Sequence, residues 1–367
     1  MNKLSSKKRK KITVFLCCFL ILLCFAYTVF IRRARFKMPL DSYNSGWCTA
    51  HSVCVTKNWI KEGAFNLRFM HVLNPASIEF DTLLSREPCV SYPPGTFIIV
   101  FLLAKILHIK DLIMLYQIYN LFNQLTISLL LFFIMFQIIN YFGNINIFTI
   151  FFSIMPSITY LYLPPTLHWH QDGFFADQAV IMLFVIFIYL EMKYLLYGRL
   201  GAWSKLFFLS IVFLGMLTEW LFAFVVFVAF ILRILFVPRV KGGLKNLIIM
   251  NLNLIIPALL ALAFFIYQVI PMGLLSTLIT HYRNRTAGTG EDGVAINLFN
   301  QHFRRFGSWY YGKTLCLCAV ASIIAFLLYY AFMRLKAIRS NINKLLNKYM
   351  YLICLSVLPC LLQVYVF

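Results

Sequence analysis

Charge is what this sequence has least of. Only 12% of its 367 residues are Asp, Glu, Lys or Arg, and the acidic ones number 12 against 33 Lys and Arg. An ordinary soluble domain carries about twice that share of charge. No Walker-type or Gly-x-Gly-x-x-Gly stretch occurs, so no nucleotide site is expected. Zinc-type cysteine spacing, internal repeats and low-complexity tracts are also missing. No Ala-x-Ala cleavage site follows the first apolar run, so MNKLSSKKRKKITVFLCCFLILLCFAYTVFI reads as a retained anchor rather than a cleaved leader. The net charge of +21 would suit nucleic acid, but no soluble basic domain exists to hold any. The basic residues lie mainly in loops between apolar runs, where orientation signals and anionic lipid explain them.

Hydrophobic residues are abundant instead, at 62%, with a mean hydropathy of +0.81. Apolar runs of about 20 residues recur and match the roughly 30 Å hydrocarbon core of a bilayer. Backbone in lipid must satisfy its own hydrogen bonds, so the runs should be helices. The expected fold is an all-α polytopic membrane protein with about nine spans. They fall near 12–31, 112–139, 147–163, 176–192, 203–218, 220–237, 246–270, 314–333 and 349–367. A further apolar segment, PPGTFIIVFLLAKILHI (93–109), is short, opens on Pro-Pro and ends among Lys105, His108 and Lys110. If it crossed, the short loops holding Lys193 and Lys205, Lys241 and Lys245, and Arg334 to Lys348 would all face outward, against the positive-inside bias. It therefore reads as an amphipathic helix lying in the outer interface. Lys7 to Lys11 place the N-terminus in the cytoplasm.

With that topology all seven histidines and eleven of the twelve acidic residues fall on the outer side, Glu191 being the exception. This is the distribution an outward-facing active site would produce. The outer surface comprises a large first loop (about 32–111), TLHWHQDGFFADQ (166–178), the tight turn LTEW (217–220) and a fourth loop (about 271–313). Cys48, Cys54 and Cys89 share the first loop, where a disulfide would join two and leave the third over. The other cysteines lie in or beside apolar runs and read as small core residues.

Several outer residues have chemistry to offer. Asp41, just beyond the first span, suits a general base for an acceptor hydroxyl, or a turn aspartate bonded to Ser42 and Asn44. Asp172 and Asp177 sit where a helix begins, which suits N-capping. Asp177, pressed against AVIMLFVIFIYL, should be partly buried, and carboxylates at that depth point to function. His168 and His170 flank Trp169. With His51, His71 and nearby carboxylates they could hold a divalent metal such as Mg or Mn, His170, Asp172 and Asp177 being the candidate ligands; paired interfacial histidines are the plainer reading. Glu219 in LTEW should dip to the bilayer edge, as a functional group or in a salt bridge to an arginine. Arg283, Arg285, Arg304 and Arg305 stand among His281, Tyr282, Trp309 and Tyr310. Guanidinium forks suit phosphate oxygens and aromatic rings suit sugar faces, though anionic lipid would attract the same set. Tyr92, in SYPPG, precedes a Pro-Pro step that forces extended backbone and then lets a helix start.

At these residues the layout resembles the GT-C superfamily of membrane glycosyltransferases, closest to the bacterial protein O-mannosyltransferase-like and aminoarabinose transferase-like group. The segments carrying the likeness are GWCTAHSVCVTKNWIKEG, SYPPG, LHWHQDGFFADQ and LTEW, within about 12–240. The resemblance implies a GT-C-like module over 1–240 and a variable C-terminal part over 241–367, which ends inside an apolar run as a truncated chain would. It also implies a polyprenyl-phosphate sugar donor and a lipid, glycan or protein acceptor. Asp41 would be the general base, Asp177 with Asp172 or His170 would orient the acceptor or a metal, and the four arginines would hold the donor phosphate. His168, Glu219 and Tyr92 would line the substrate site. Family members place their loop aspartate about fifteen residues before the glycine ending the first juxtamembrane helix. Counting back from Gly63 reaches Cys48, with Asp41 seven residues earlier, so either Asp41 takes the role or the usual base is missing. The expected location is a bacterial inner membrane with the active face outward. A flippase for lipid-linked glycans and a non-catalytic assembly partner on the same fold are the alternatives.

Overall fold

A computed structural model describes residues 2–38, 46–82, 84–90, 92–142, 147–197, 200–236, 243–270, 273–286, 324, 348 and 350–359. The helices are α1 (Asn2–Ile31), α2 (Gly46–Glu62), α3 (Gly95–Ile106), α4 (Leu112–Phe142), α5 (Ile147–Tyr162), α6 (Pro164–Asp172), α7 (Ala176–Tyr197), α8 (Ala202–Thr218), α9 (Leu221–Phe236), α10 (Gly243–Val269) and α11 (Leu275–Thr286). A helix over Met350–Pro359 is α12. The chain forms two compact units, one of Met1–Leu67, Val72–Ser77 and Thr96–Tyr189, the other of Arg68–His71, Ile78–Gly95 and Leu190–Phe367.

Among the described residues, four helical segments are long and apolar enough to cross a bilayer: Lys10–Ile31, Leu112–Ile139, Ala176–Tyr197 and Leu247–Val269. The chain is thus an all-α membrane protein, with four such crossings among the described residues where about nine are expected over the full sequence. α5 and α6 make a fifth crossing if their 59° bend is a break within one span. α8 and α9 have 17 and 16 residues, or about 25 Å of rise, short of a 30 Å core. The expected span 314–333 lies almost wholly outside the described residues, and 349–367 is represented by α12. α3 has twelve residues, about 18 Å, too short to cross alone.

In the first unit, α1, α4 and α5 enclose an apolar core of Cys17, Ile21, Phe132, Phe136, Ile154 and Leu161. Where α5 meets α4, the Ser157 hydroxyl donates to the Ser128 carbonyl at 2.7 Å, which needs close backbone approach. The chain expected to form a loop after α5 is instead mostly helix. Leu163 is extended (φ −61°, ψ 129°) because Pro164 follows, and Pro164 and Pro165 occupy the first helical positions of α6. Proline chemistry therefore accounts for both the bend and the new helix.

In the second unit, Pro93 and Pro94 lead into α3 at Gly95, as the SYPPG motif predicts. Gly95 has a specific reason to be glycine: a Cβ there would stand 2.6 Å from the Leu217 carbonyl oxygen. Gly215 is similarly confined, since its Cβ would meet the Phe222 ring at 2.4 Å across the α8–α9 turn. The disulfide that the first loop would allow is not formed: Cys48, Cys54 and Cys89 are all free thiols.

Candidate functional site

The site of interest forms in the first unit, where the α6–α7 junction docks on α2. α2 buries Cys48, Thr49, Ser52, Val55, Thr56 and Trp59, a stripe at three- and four-residue spacing. It ends at Gly63, whose φ of +89° suits only glycine comfortably. The junction residue Phe174 is fully buried. Its N–H donates to Thr49 Oγ1 at 3.1 Å, and its carbonyl accepts from Ser52 Oγ at 3.0 Å. Tyr116 and Tyr119 of α4 pack on the Phe174 ring at 4.7 and 5.7 Å between centroids. Outside this anchor, Phe175 packs against Trp47 at 5.6 Å and His51 at 5.7 Å. Asp177 follows in the first turn of α7, where a carboxylate complements the helix dipole.

The electrostatics tie Asp177 to α2. Cys48 is buried, and its thiol is pushed up to about 11, first by burial and then by the negative charge of Asp177. The thiol therefore stays protonated at neutral pH. His51 is held below its ordinary value by burial, which favours the neutral ring.

Beneath this rim lies a buried polar network. His170 Nε2 meets the Tyr160 hydroxyl at 2.5 Å, and its Nδ1 faces Gln178 Nε2 at 2.9 Å and the Asn120 carbonyl at 3.2 Å. Gln178 also donates to Asn120 Oδ1 at 3.0 Å, and Asn120 Nδ2 donates to the Gly173 carbonyl at 3.1 Å. Arg32, at the end of α1, is buried and forks across two elements. It donates to the Leu167 carbonyl at 2.7 Å and to Gln124 Oε1 at 2.8 Å, while its Nε bonds the Thr28 carbonyl at 2.9 Å.

These contacts revise several expectations. Asp177 is exposed rather than partly buried. His170 is 2% exposed with both ring nitrogens engaged, so it does not fit as a metal ligand or acceptor contact beside Asp172 and Asp177, and no step is derived through a metal. Asp172 closes α6, its side chain lying outside the described residues, and His168 is half-buried with its ring edge-on to Trp169. Asp41, Arg304 and Arg305 lie outside the described residues; Arg283 and Arg285 belong to α11. Glu219 is buried, and its Oε2 accepts the Leu221 N–H at 2.5 Å, which makes it a cap for α9. Tyr92 is half-buried just before the Pro-Pro step.

Other polar residues escaped the sequence reading. In the second unit Glu191 forms an ion pair with Arg233, and Tyr351 donates to its other oxygen at 2.6 Å. Arg233 also bonds the Met250 carbonyl at 2.5 Å, so α7, α9, α10 and α12 meet at one buried charge cluster. A signal was available: Arg233 is the single charge in LFAFVVFVAFILRILF. On α4, Gln117, Asn120, Gln124 and Ser128 recur at three- and four-residue intervals in a largely apolar helix, which marks a polar face.

No protein-family model matches this chain, and no curated protein or solved structure matches it.

Proposed function

We propose that this chain is a membrane glycosyltransferase that moves a sugar from a polyprenyl-phosphate donor to a lipid, glycan or protein acceptor on the outer face of the membrane. One observation carries the reading. The α6–α7 junction docks on α2 so that exposed Asp177 acts electrostatically on Cys48, the position where the GT-C resemblance expects an acid. A carboxylate is thus supplied to that locus from the second outer segment. Asp41 is the general base that takes the acceptor proton, and Asp177 orients the acceptor hydroxyl. Arg283, Arg285, Arg304 and Arg305 hold the donor phosphate and stabilise the charge growing on the leaving phosphate. The donor is already activated, so the reaction needs no nucleotide.

The test is mass spectrometry of envelope glycans and glycolipids from a deletion strain complemented with the wild-type gene, Asp41→Asn or Asp177→Asn. The expected result is a glycan lost on deletion, restored by wild type and not by Asp41→Asn, with Asp177→Asn restoring it partly. Glycans unchanged by deletion would end the proposal. The proposed orientation, N-terminus in the cytoplasm of a bacterial inner membrane, requires a cysteine at position 177 to react with an impermeant thiol reagent from outside.

A second reading, a non-catalytic assembly partner, is favoured by Cys48 itself, since a thiol held protonated is no base. It is distinguished by a glycan that vanishes on deletion yet returns with both aspartate variants.

A further inference from the structure

The polar face of α4 raises an accounting question. Gln124 is fully buried, and Arg32 fixes its carbonyl end by donating to Oε1. That hydrogen bond turns the amide so that Nε2, a donor, has no partner among the described residues. Gln178, 5% exposed, spends its Nε2 on Asn120 and His170 and leaves Oε1, an acceptor, equally without a partner. Asn123, the residue before Gln124 on α4, is also fully buried, and the Tyr119 hydroxyl is within reach of its amide. Asn120, Asn123 and Gln124 share one helical face by their spacing, and Gln178 is tied to that face through Asn120.

Packed interiors rarely leave buried amide groups unmet, because each unmet group has lost its hydration and gained nothing in return. The chemistry of the unmet atoms is mixed. Gln124 asks for an acceptor and Gln178 for a donor. A carboxylate or phosphate oxygen supplies acceptors alone, and an ammonium supplies donors alone. A hydroxyl oxygen supplies both at one centre.

We infer that the face of α4 formed by Asn123 and Gln124, with Gln178 of α7, is a binding site for hydroxyl oxygens inside the first unit. The oxygens come either from ordered water or from the hydroxyls of an uncharged sugar. The site does not depend on the transferase reading, because any solute of this chemistry would satisfy it. It gives the α4 span a wet segment at Asn120–Gln124 and a dry one at Phe132–Phe136, which the apolar core with α1 and α5 closes off.

X-ray hydroxyl-radical footprinting of the full chain in lipid nanodiscs tests this directly, since bound water generates radicals in place and marks its neighbours. Tyr119 is the reporter and Phe132, fully buried on the same helix, is the dry reference. The expected result is Tyr119 oxidation several-fold above Phe132, each normalised to the unfolded chain. It should fall to the Phe132 level in an Asn123→Leu, Gln124→Leu variant. Labelling that added methyl glycosides do not change identifies water; labelling that they suppress identifies a sugar. Absent labelling with a sugar released on denaturation and detected by mass spectrometry also upholds the site. Tyr119 as unreactive as Phe132, with no sugar released, overturns it, and the wild-type comparison decides this even if the double variant fails to fold.

Discussion

Alkylation of Cys48 offers the sharpest test of the charge effect of Asp177 on α2. The attacking species is the thiolate. A shift from the ordinary 9.0 to about 11 cuts the thiolate fraction near pH 8 roughly a hundredfold. Burial slows reagent access as well, so the rate alone does not separate acidity from shielding. The pH profile does. The Cys48 rate should climb about tenfold per pH unit through pH 10, whereas an unperturbed thiol levels off near pH 9. Asp177→Asn removes the negative charge that raises the thiol and should lower its value. The change must be less than the whole shift, because burial is the larger cause. The assay is iodoacetamide labelling of the full chain between pH 7 and 10, quantified by mass spectrometry of the peptide, with exposed Cys54 as the internal reference. A Cys48 profile that levels off near pH 9 refutes the reasoning. So does a profile that Asp177→Asn leaves unmoved, because the carboxylate would then not act on that locus.

Gly95→Ala should destabilise the chain by about 1–3 kcal/mol, read as a lower melting temperature in detergent, because the new methyl meets backbone at Leu217 rather than a yielding side chain. Glu191→Gln should cost about 3–5 kcal/mol by leaving Arg233 charged and uncompensated, and joint replacement of Glu191 and Arg233 by Met should recover most of the loss; a thermal double-mutant cycle checks both. Arg32→Met should cost about 1–3 kcal/mol, and Arg32→Lys should not restore it in the same melting assay, since one ammonium cannot reproduce a planar fork reaching both Leu167 and Gln124.

Much of the fold was legible in the sequence because its causes are local. The span 112–139 and the start of α7 follow from apolar run length, and the start of α3 follows from Pro93-Pro94-Gly95. The helix α6 was equally readable from Pro164-Pro165 but was obscured by the polarity of HWHQD, which suggests a loop when water is assumed beside it. The site was legible only in part. Asp177 belongs to it, yet nothing in the spacing of residues 48 and 177 joins it to Cys48.

Residue type, run length and proline position determined that this chain forms apolar helices and where most of them begin. Only the tertiary structure decided which polar groups remain available. His170 looks like a ligand in HWHQ, but Asn120 lies 50 residues away and occupies it. Arg32 finds its acceptor 135 residues on, and Glu191 finds Tyr351 across 160. A helix's apolar length is a property of consecutive residues, while the satisfaction of a buried polar atom depends on whichever distant segment packs against it.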